Sequence, residues 1–117
     1  MCGVCALVLS AATAQAARSW PVPPAAFVAE AHCIHAYEVG LSAYPSAVAW
    51  ALRWHDKSNP SSRGGMQFEY GTWDGVGGRG DPADASRDEQ VWRAYLVWKR
   101  DGGSWREWST ARLCGLA

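Results

Sequence analysis

The chain has 117 residues, eight of them tryptophan, and its 11 basic and 11 acidic residues leave a formal net charge of zero. This length allows for a single domain of ordinary size. Basic and acidic residues are interleaved, which excludes the basic patch needed to bind a nucleic-acid backbone, so we predict no nucleic-acid partner. We expect a monomer that needs no cofactor.

Residues 1–17 have the pattern of a secretory signal peptide. The apolar run CALVLSAATA precedes Ala14-Gln15-Ala16, which fits the small-x-small pattern of a cleavage site. The run is too short to span a bilayer. We therefore predict export, cleavage after Ala16 or Ala17, and a secreted protein without membrane association. An apolar N-terminal helix is the alternative interpretation.

After a Pro-rich leader at residues 18–24, residues 25–117 are expected to form one domain. A first helix is predicted from Ala25 to Val39, with Gly40 favouring its end. Four residues at spacings of four, three and four share one face of this helix: Phe27, Ala31, Ile34 and Glu38. The first three are apolar, and the last is a carboxylate at the end of the apolar face. A second short helix is predicted between Leu41 and Arg53.

Turn-forming residues dominate the next segment, 56–65, and the elements that follow are short. Residues 66–68 are predicted as a short strand or the arm of a hairpin, and residues 70–76 as one or two helical turns. Ser86 and Glu89 form a capping-box signature for a helix that reaches about Arg100. A last short helix is predicted over 104–108. The fold class is therefore α+β, mostly helical, with a small β element.

Two cysteines, Cys33 and Cys114, remain once the signal is removed with Cys2 and Cys5. Cysteines near opposite ends of a small secreted domain favour one disulfide that closes most of the fold. The alternative is a zinc site, which needs four ligands in one tetrahedron. We prefer the disulfide and predict no metal site, although four residues could be drawn as a cluster: His32, Cys33, His35 and His55.

Glu38 is the residue most suited to donate a proton. It combines an apolar helix face with a position near the helix C-terminus. Burial and the negative end of the helix dipole both disfavour the carboxylate anion and raise its pKa. A raised pKa is what a general acid requires near neutral pH.

The segment from Trp54 to Trp73 joins a Gly-Gly pair, an amide side chain and spaced aromatics. It resembles the sugar-cleft segment of the resuscitation-promoting-factor family of lysozyme-like domains, where a Gly-Gly-Leu-Gln-Phe run is followed by a Thr-Trp pair. Here the run occupies residues 64–68, and the pair is Thr72 and Trp73. Residues 33–38 similarly resemble the Cys-Ile-x-x-x-Glu sequence on that family's first helix.

The resemblance implies a small lysozyme-like domain that cleaves the glycan strands of peptidoglycan. The bond would be the β-1,4 linkage between N-acetylmuramic acid and N-acetylglucosamine, cut by a hydrolase or a lytic transglycosylase. Glu38 would be the single acid and base. Gln67 matches the family's cleft-lining Gln, whose amide both donates to and accepts from sugar groups. Further residues expected to bind substrate are Trp54, Tyr70, Thr72 and Trp73.

The chain departs from that family after Glu38, where residues 41–53 separate it from Trp54. This insertion could line the cleft or displace Glu38. Two alternatives therefore stay open: an inactive glycan-binding domain, and a disulfide-stapled secreted protein that binds another protein through exposed tryptophans. The sequence does not indicate which residue would act as a second catalytic carboxylate. Three are available: Asp56, Glu69 and Asp74.

Overall fold

The structure is a computed structural model that describes residues 19–40 and 53–116. The predicted signal peptide and nearly all of the predicted helix between Leu41 and Arg53 lie outside these ranges. In chain order the described residues form α1 (Ala25–Glu38), a 3₁₀ helix (Arg53–His55), β1 (Ser62–Arg63), β2 (Phe68–Glu69), α2 (Tyr70–Gly75), a second 3₁₀ helix (Pro82–Asp84), α3 (Arg87–Arg100) and a C-terminal 3₁₀ helix (Ser109–Cys114). The predicted α+β class is confirmed.

The first helix matches its prediction closely. Pro24 precedes it with φ −51°, and its carbonyl accepts a hydrogen bond from the Val28 N–H at 3.1 Å. Proline has no N–H to satisfy at a helix start, so its position costs no hydrogen bond. The helix ends before Gly40, whose φ of +70° is a left-handed conformation that glycine adopts without a steric penalty.

The two strands form an antiparallel hairpin, with Ser62 opposite Glu69 and Arg63 opposite Phe68. Residues 64–67 form its turn, so the predicted strand begins only at Phe68. The reason is local hydrogen bonding. The Gln67 N–H donates to the Gly64 carbonyl at 3.2 Å, and this bond closes a turn instead of extending a strand ladder.

The last long helix also follows its prediction. Ser86 Oγ accepts a hydrogen bond from the Glu89 N–H at 3.1 Å, and the helix runs to Arg100. The helix predicted over 104–108 is wrong. These residues make a turn in which the Trp108 N–H donates to the Trp105 carbonyl at 2.9 Å, and the 3₁₀ helix begins only at Ser109.

One apolar core joins α1, the hairpin, α3 and the C-terminal segment. Phe27 packs between α3 and the C-terminal segment, with its ring stacked on Trp105 at a centroid distance of 4.7 Å. Four of the seven tryptophans within the described residues are buried. The buried tryptophans are Trp54, Trp73, Trp105 and Trp108.

Buried indole N–H groups fix the C-terminal segment to the rest of the core. Trp105 Nε1 donates to the Glu30 carboxylate at 2.9 Å, and Trp108 Nε1 donates to the Met66 carbonyl at 2.7 Å. Both bonds join residues that are far apart in the sequence. These two hydrogen bonds explain why residues 105–108 form a turn and not a regular helix.

The predicted disulfide between Cys33 and Cys114 is present. It joins α1 to the C-terminal 3₁₀ helix across a sequence separation of 81 residues. A crosslink over so long a loop removes conformational entropy from the unfolded chain, an effect of about 2–5 kcal/mol. Within residues 19–40 and 53–116, no helix is long and apolar enough to cross a membrane.

Arg93 ties the Pro-rich leader to the domain. Its guanidinium lies 5.0 Å from the ring centroid of Trp20 and 5.3 Å from that of Trp73. Its Nη1 donates to the Val76 carbonyl at 2.7 Å, and its Nη2 lies 3.3 Å from Glu89. A cation between two indoles therefore anchors the leader on α3.

The side chain of Gln90 organises the turn of the hairpin. It is completely buried. Its Oε1 accepts from the Gly65 N–H at 2.9 Å, and its Nε2 donates to the carbonyls of Trp54 at 2.8 Å and Ala85 at 3.0 Å. A Cβ on Gly64 would approach Gln90 Oε1 to 2.6 Å, so this position requires glycine.

Replacing Gln90 with Leu should destabilise the protein by about 2–4 kcal/mol, because the Gly65 N–H and the carbonyls of Trp54 and Ala85 would each lose a hydrogen bond in a buried or partly buried site. The free energy of unfolding in urea measures this effect. Lys99→Gln, an exposed change on the same helix, is the control and should stay within about 0.5 kcal/mol of the wild type. Equal stability of both variants would show that the turn does not depend on Gln90.

Candidate functional site

A polar cleft of about 190 Å³ opens where the end of α1 meets the hairpin and the C-terminal segment. Acidic, amide and hydroxyl side chains make up most of its wall. The lining residues are Glu38, Ser62, Gln67, Phe68, Glu69, Thr72, Glu107, Trp108 and Ser109. The structure therefore brings together three residues that the sequence analysis singled out: Glu38, Gln67 and Thr72.

Glu38 is the last residue of α1 and is partly buried. Thr110 on the C-terminal 3₁₀ helix donates a hydrogen bond from Oγ1 to Glu38 Oε1 at 2.8 Å. Burial raises the pKa of Glu38 above its ordinary value, and the hydrogen bond from Thr110 opposes part of that rise. The cleft thus holds a carboxyl group with an increased tendency to keep its proton.

Gln67 reaches the cleft from an unusual backbone conformation. Its φ is +50°, the left-handed region that non-glycine residues seldom adopt. Its Nε2 donates to the Gly64 carbonyl at 2.8 Å, so the side chain folds back over its own turn. A strained residue fixed in this way at a cleft wall is typical of a ligand-binding position.

The remaining predicted contact residues occupy different places. Thr72 lines the cleft, whereas Tyr70 is 40% exposed and lies beside the Arg63 guanidinium. Trp54 and Trp73 are buried in the core. Trp54 stacks on His35 with a centroid distance of 3.8 Å, and Trp73 packs edge-on against Phe68 at 5.0 Å. Because neither indole lines the cleft, we do not assign sugar contact to these two residues.

The cleft contains two further carboxylates besides Glu38. Glu69, which the sequence analysis considered, and Glu107, which it missed, both belong to the wall. Glu107 lies 3.7 Å from Arg100 and 3.8 Å from Arg106, so neighbouring cations face its charge. Asp56 and Asp74 do not line the cleft.

Thr110 was also missed, although the sequence contains a signal for it. Cys33 precedes Glu38 by five positions and Cys114 follows Thr110 by four. A disulfide between two segments of opposite direction brings residues on those sides of the cysteines close together. Considering the disulfide and the candidate acid together would have pointed to this neighbour.

Three of the four residues that could be drawn as a zinc cluster form other bonds in the structure. Cys33 is in the disulfide, His35 Nδ1 donates to the Gly65 carbonyl at 2.6 Å, and His55 Nδ1 donates to the Ala83 carbonyl at 2.7 Å. Among the described residues, no three His, Cys, Asp or Glu side chains are grouped as metal ligands.

The raised pKa of Glu38 predicts a pH dependence of stability. Since the folded protein holds this proton more tightly than the unfolded chain, the contribution is full below about pH 4.5, the ordinary pKa, and is lost as pH rises through the folded pKa. Glu38→Gln is neutral at every pH. The stability of the wild type relative to this variant should therefore fall between pH 4 and pH 8.

Urea unfolding of both proteins across this range measures the difference, and every other carboxylate is common to the two chains. Parallel stability curves would contradict the raised pKa.

The sequence of the cleft-forming region matches a known family model. A model described as a transglycosylase-like domain matches residues 51–111, just over half of the chain. The match includes the hairpin, α2, α3 and the Thr110 segment, and it begins after Glu38. No curated protein gives a significant match. The chain belongs to the transglycosylase-like domain family, which at the family level points to a lytic function on peptidoglycan.

Proposed function

We propose that the protein is a secreted enzyme that cleaves the glycan strands of peptidoglycan, with Glu38 as its acid and base. The bond cut is the β-1,4 linkage between N-acetylmuramic acid and N-acetylglucosamine. One observation carries the proposal: Glu38 and Gln67 line the same cleft, although the chain inserts residues 41–53 after the helix that carries Glu38. Membership of the transglycosylase-like family supports the same chemistry.

The reaction needs one group that first gives and then takes a proton. Protonated Glu38 donates to the glycosidic oxygen as its bond to the anomeric carbon breaks, and the leaving sugar departs as an alcohol. The resulting carboxylate then removes a proton from the nucleophile that attacks the anomeric carbon. That nucleophile is either water or a hydroxyl of the same sugar, and both steps return Glu38 to its protonated form.

The environment of Glu38 suits both halves of this cycle. Partial burial favours the protonated form that begins the reaction, and the Thr110 hydroxyl stabilises the anion that forms during it. Gln67 and Thr72 offer an amide and a hydroxyl for hydrogen bonds to sugar hydroxyls or an acetamido group.

The location outside the cell rests on the predicted signal at residues 1–17 and on the disulfide. Disulfides persist in oxidising compartments and are rare in reducing ones. The proposed arrangement is therefore a monomeric catalytic domain over residues 25–117 that acts in the cell wall, with peptidoglycan as its partner.

The test is a clearing assay on purified peptidoglycan with the oxidised chain from Arg18 onward. Glu38→Gln should lower the rate by about 100-fold or more, since it removes the proton donor. Asp74→Asn, an exposed change outside the cleft, should keep full activity. Thermal unfolding of each variant excludes loss of fold as the cause.

Full activity in a folded Glu38→Gln variant would contradict the assignment of Glu38 as the acid and base. A well-folded wild type that binds peptidoglycan without cleaving it would favour the glycan-binding alternative.

Thr110→Val should change the pH dependence of the reaction. Valine keeps the shape of threonine but removes the hydroxyl that lowers the pKa of Glu38. The pKa of Glu38 should rise further, so the alkaline limb of the rate profile should move to higher pH. Thr110→Ser keeps a hydroxyl and should restore the wild-type limb. An alkaline limb that stays in place in the valine variant would refute this role of Thr110.

A further inference from the structure

A second groove, of about 490 Å³, adjoins the cleft. Trp108 and Ser109 line both cavities, so a single stretch of chain forms the ridge between them. On the far side of this ridge the groove is lined by Trp105, Arg106, Arg112 and Leu116, among others. The groove is thus larger than the cleft and is separated from it by Trp108 and Ser109.

The two cavities differ in charge. Three carboxylates line the cleft, namely Glu38, Glu69 and Glu107, whereas the charged residues of the groove are two arginines. Arg106 donates a hydrogen bond to the Asp101 carboxylate at 3.0 Å, so part of its hydrogen-bonding capacity is already used within the protein. Arg112 is exposed and forms no ion pair with any described residue.

This charge pattern fits one part of the proposed substrate. The sugar rings of a peptidoglycan strand are uncharged, and the lactyl carboxyl of muramic acid is bonded to a short peptide as an amide. The peptide stem carries free carboxylates, and a guanidinium is the side chain best matched to them in geometry and charge. Leu116, which is partly exposed in the groove wall, offers an apolar contact for the aliphatic portion of such a peptide.

The cleft and the groove are also adjacent, since Trp108 and Ser109 line both. A stem that starts at a muramic acid bound in the cleft has to pass only the Trp108–Ser109 ridge to enter the groove. An extended chain covers about 3.3–3.6 Å per residue, so a stem of a few residues is long enough.

We propose that this groove is a binding site for the peptide stem, with Arg112 receiving a stem carboxylate. The proposal rests on the proposed function, since it assumes a glycan strand in the cleft. The enzyme would therefore prefer strands that carry peptide stems over bare strands of the same sugars.

The decisive experiment compares two substrates that differ only in the peptide. One is soluble glycan strands with their stems, and the other is the same strands after an amidase has removed the stems. Arg112→Gln should lower kcat/KM on the peptide-bearing strands by about 1.5- to fivefold, the range for one exposed ion pair. It should leave cleavage of the bare strands unchanged. Arg112→Lys should restore part of the loss.

Arg79→Gln is the matched control, because Arg79 is an exposed arginine outside both cavities. It should behave as the wild type on both substrates. An equal loss for Arg112→Gln on both substrates, or no loss on either, would overturn the proposal.

A binding measurement separates this proposal from the proposed function. The free stem peptide, without sugar, is titrated to millimolar concentration against the folded protein, and the indole N–H resonances of Trp105 and Trp108 are followed by NMR. Shifts that weaken in Arg112→Gln support the groove even if no strand is cleaved. Cleavage without any such shift retains the proposed function and rejects the groove.

Discussion

The structure depends above all on the buried side-chain amide of Gln90. One carboxamide accepts from the backbone of the Gly64–Gly65 turn and donates to the backbone on either side of the hairpin, at Trp54 and Ala85. The bonds to Gly65 and Trp54 are buried and the bond to Ala85 is partly buried, so the three bonds define where the hairpin sits against α3. The absence of a side chain on Gly64 lets the amide come this close, and the absence of one on Gly65 leaves room for Trp54 and His35. The cleft wall that carries Gln67 is therefore positioned by a residue that does not reach the cleft.

The opposite wall is positioned by covalent chemistry. The disulfide between Cys33 and Cys114 holds the C-terminal 3₁₀ helix against α1, and Thr110 on that helix bonds to Glu38. One wall thus relies on hydrogen bonds that form with the core, and the other on a bond that forms only under oxidising conditions. In a reducing compartment the Glu38 wall would lose its crosslink. The wall that carries Gln67 would keep its hydrogen bonds, because it contains no disulfide.

Local patterns in the sequence were sufficient for the helices, because capping residues and apolar spacing act over a few positions. They located α1 and α3 within a residue or two and assigned Glu38 to the end of an apolar face. The misplaced helix near Trp105 failed for the opposite reason: its indoles bond to Glu30 and to the Met66 carbonyl, partners with no local signal. The tryptophans of the sugar-cleft motif were similarly ambiguous. An indole in a motif can serve the core or the ligand, and only three-dimensional packing decides.

The bond from the Gln67 side chain to the Gly64 carbonyl has a consequence for affinity. A free glutamine side chain loses rotational freedom when a ligand immobilises it, at a cost of about 0.5–1.5 kcal/mol. Here folding has already removed that freedom, and it has also fixed the backbone of Gln67 in its left-handed conformation. In the proposed function, a sugar that contacts this amide would find it already ordered, so the entropy of ordering it would lower the stability of the fold and not the affinity of binding. Any substitution that loosens the turn should therefore weaken ligand binding before it unfolds the domain.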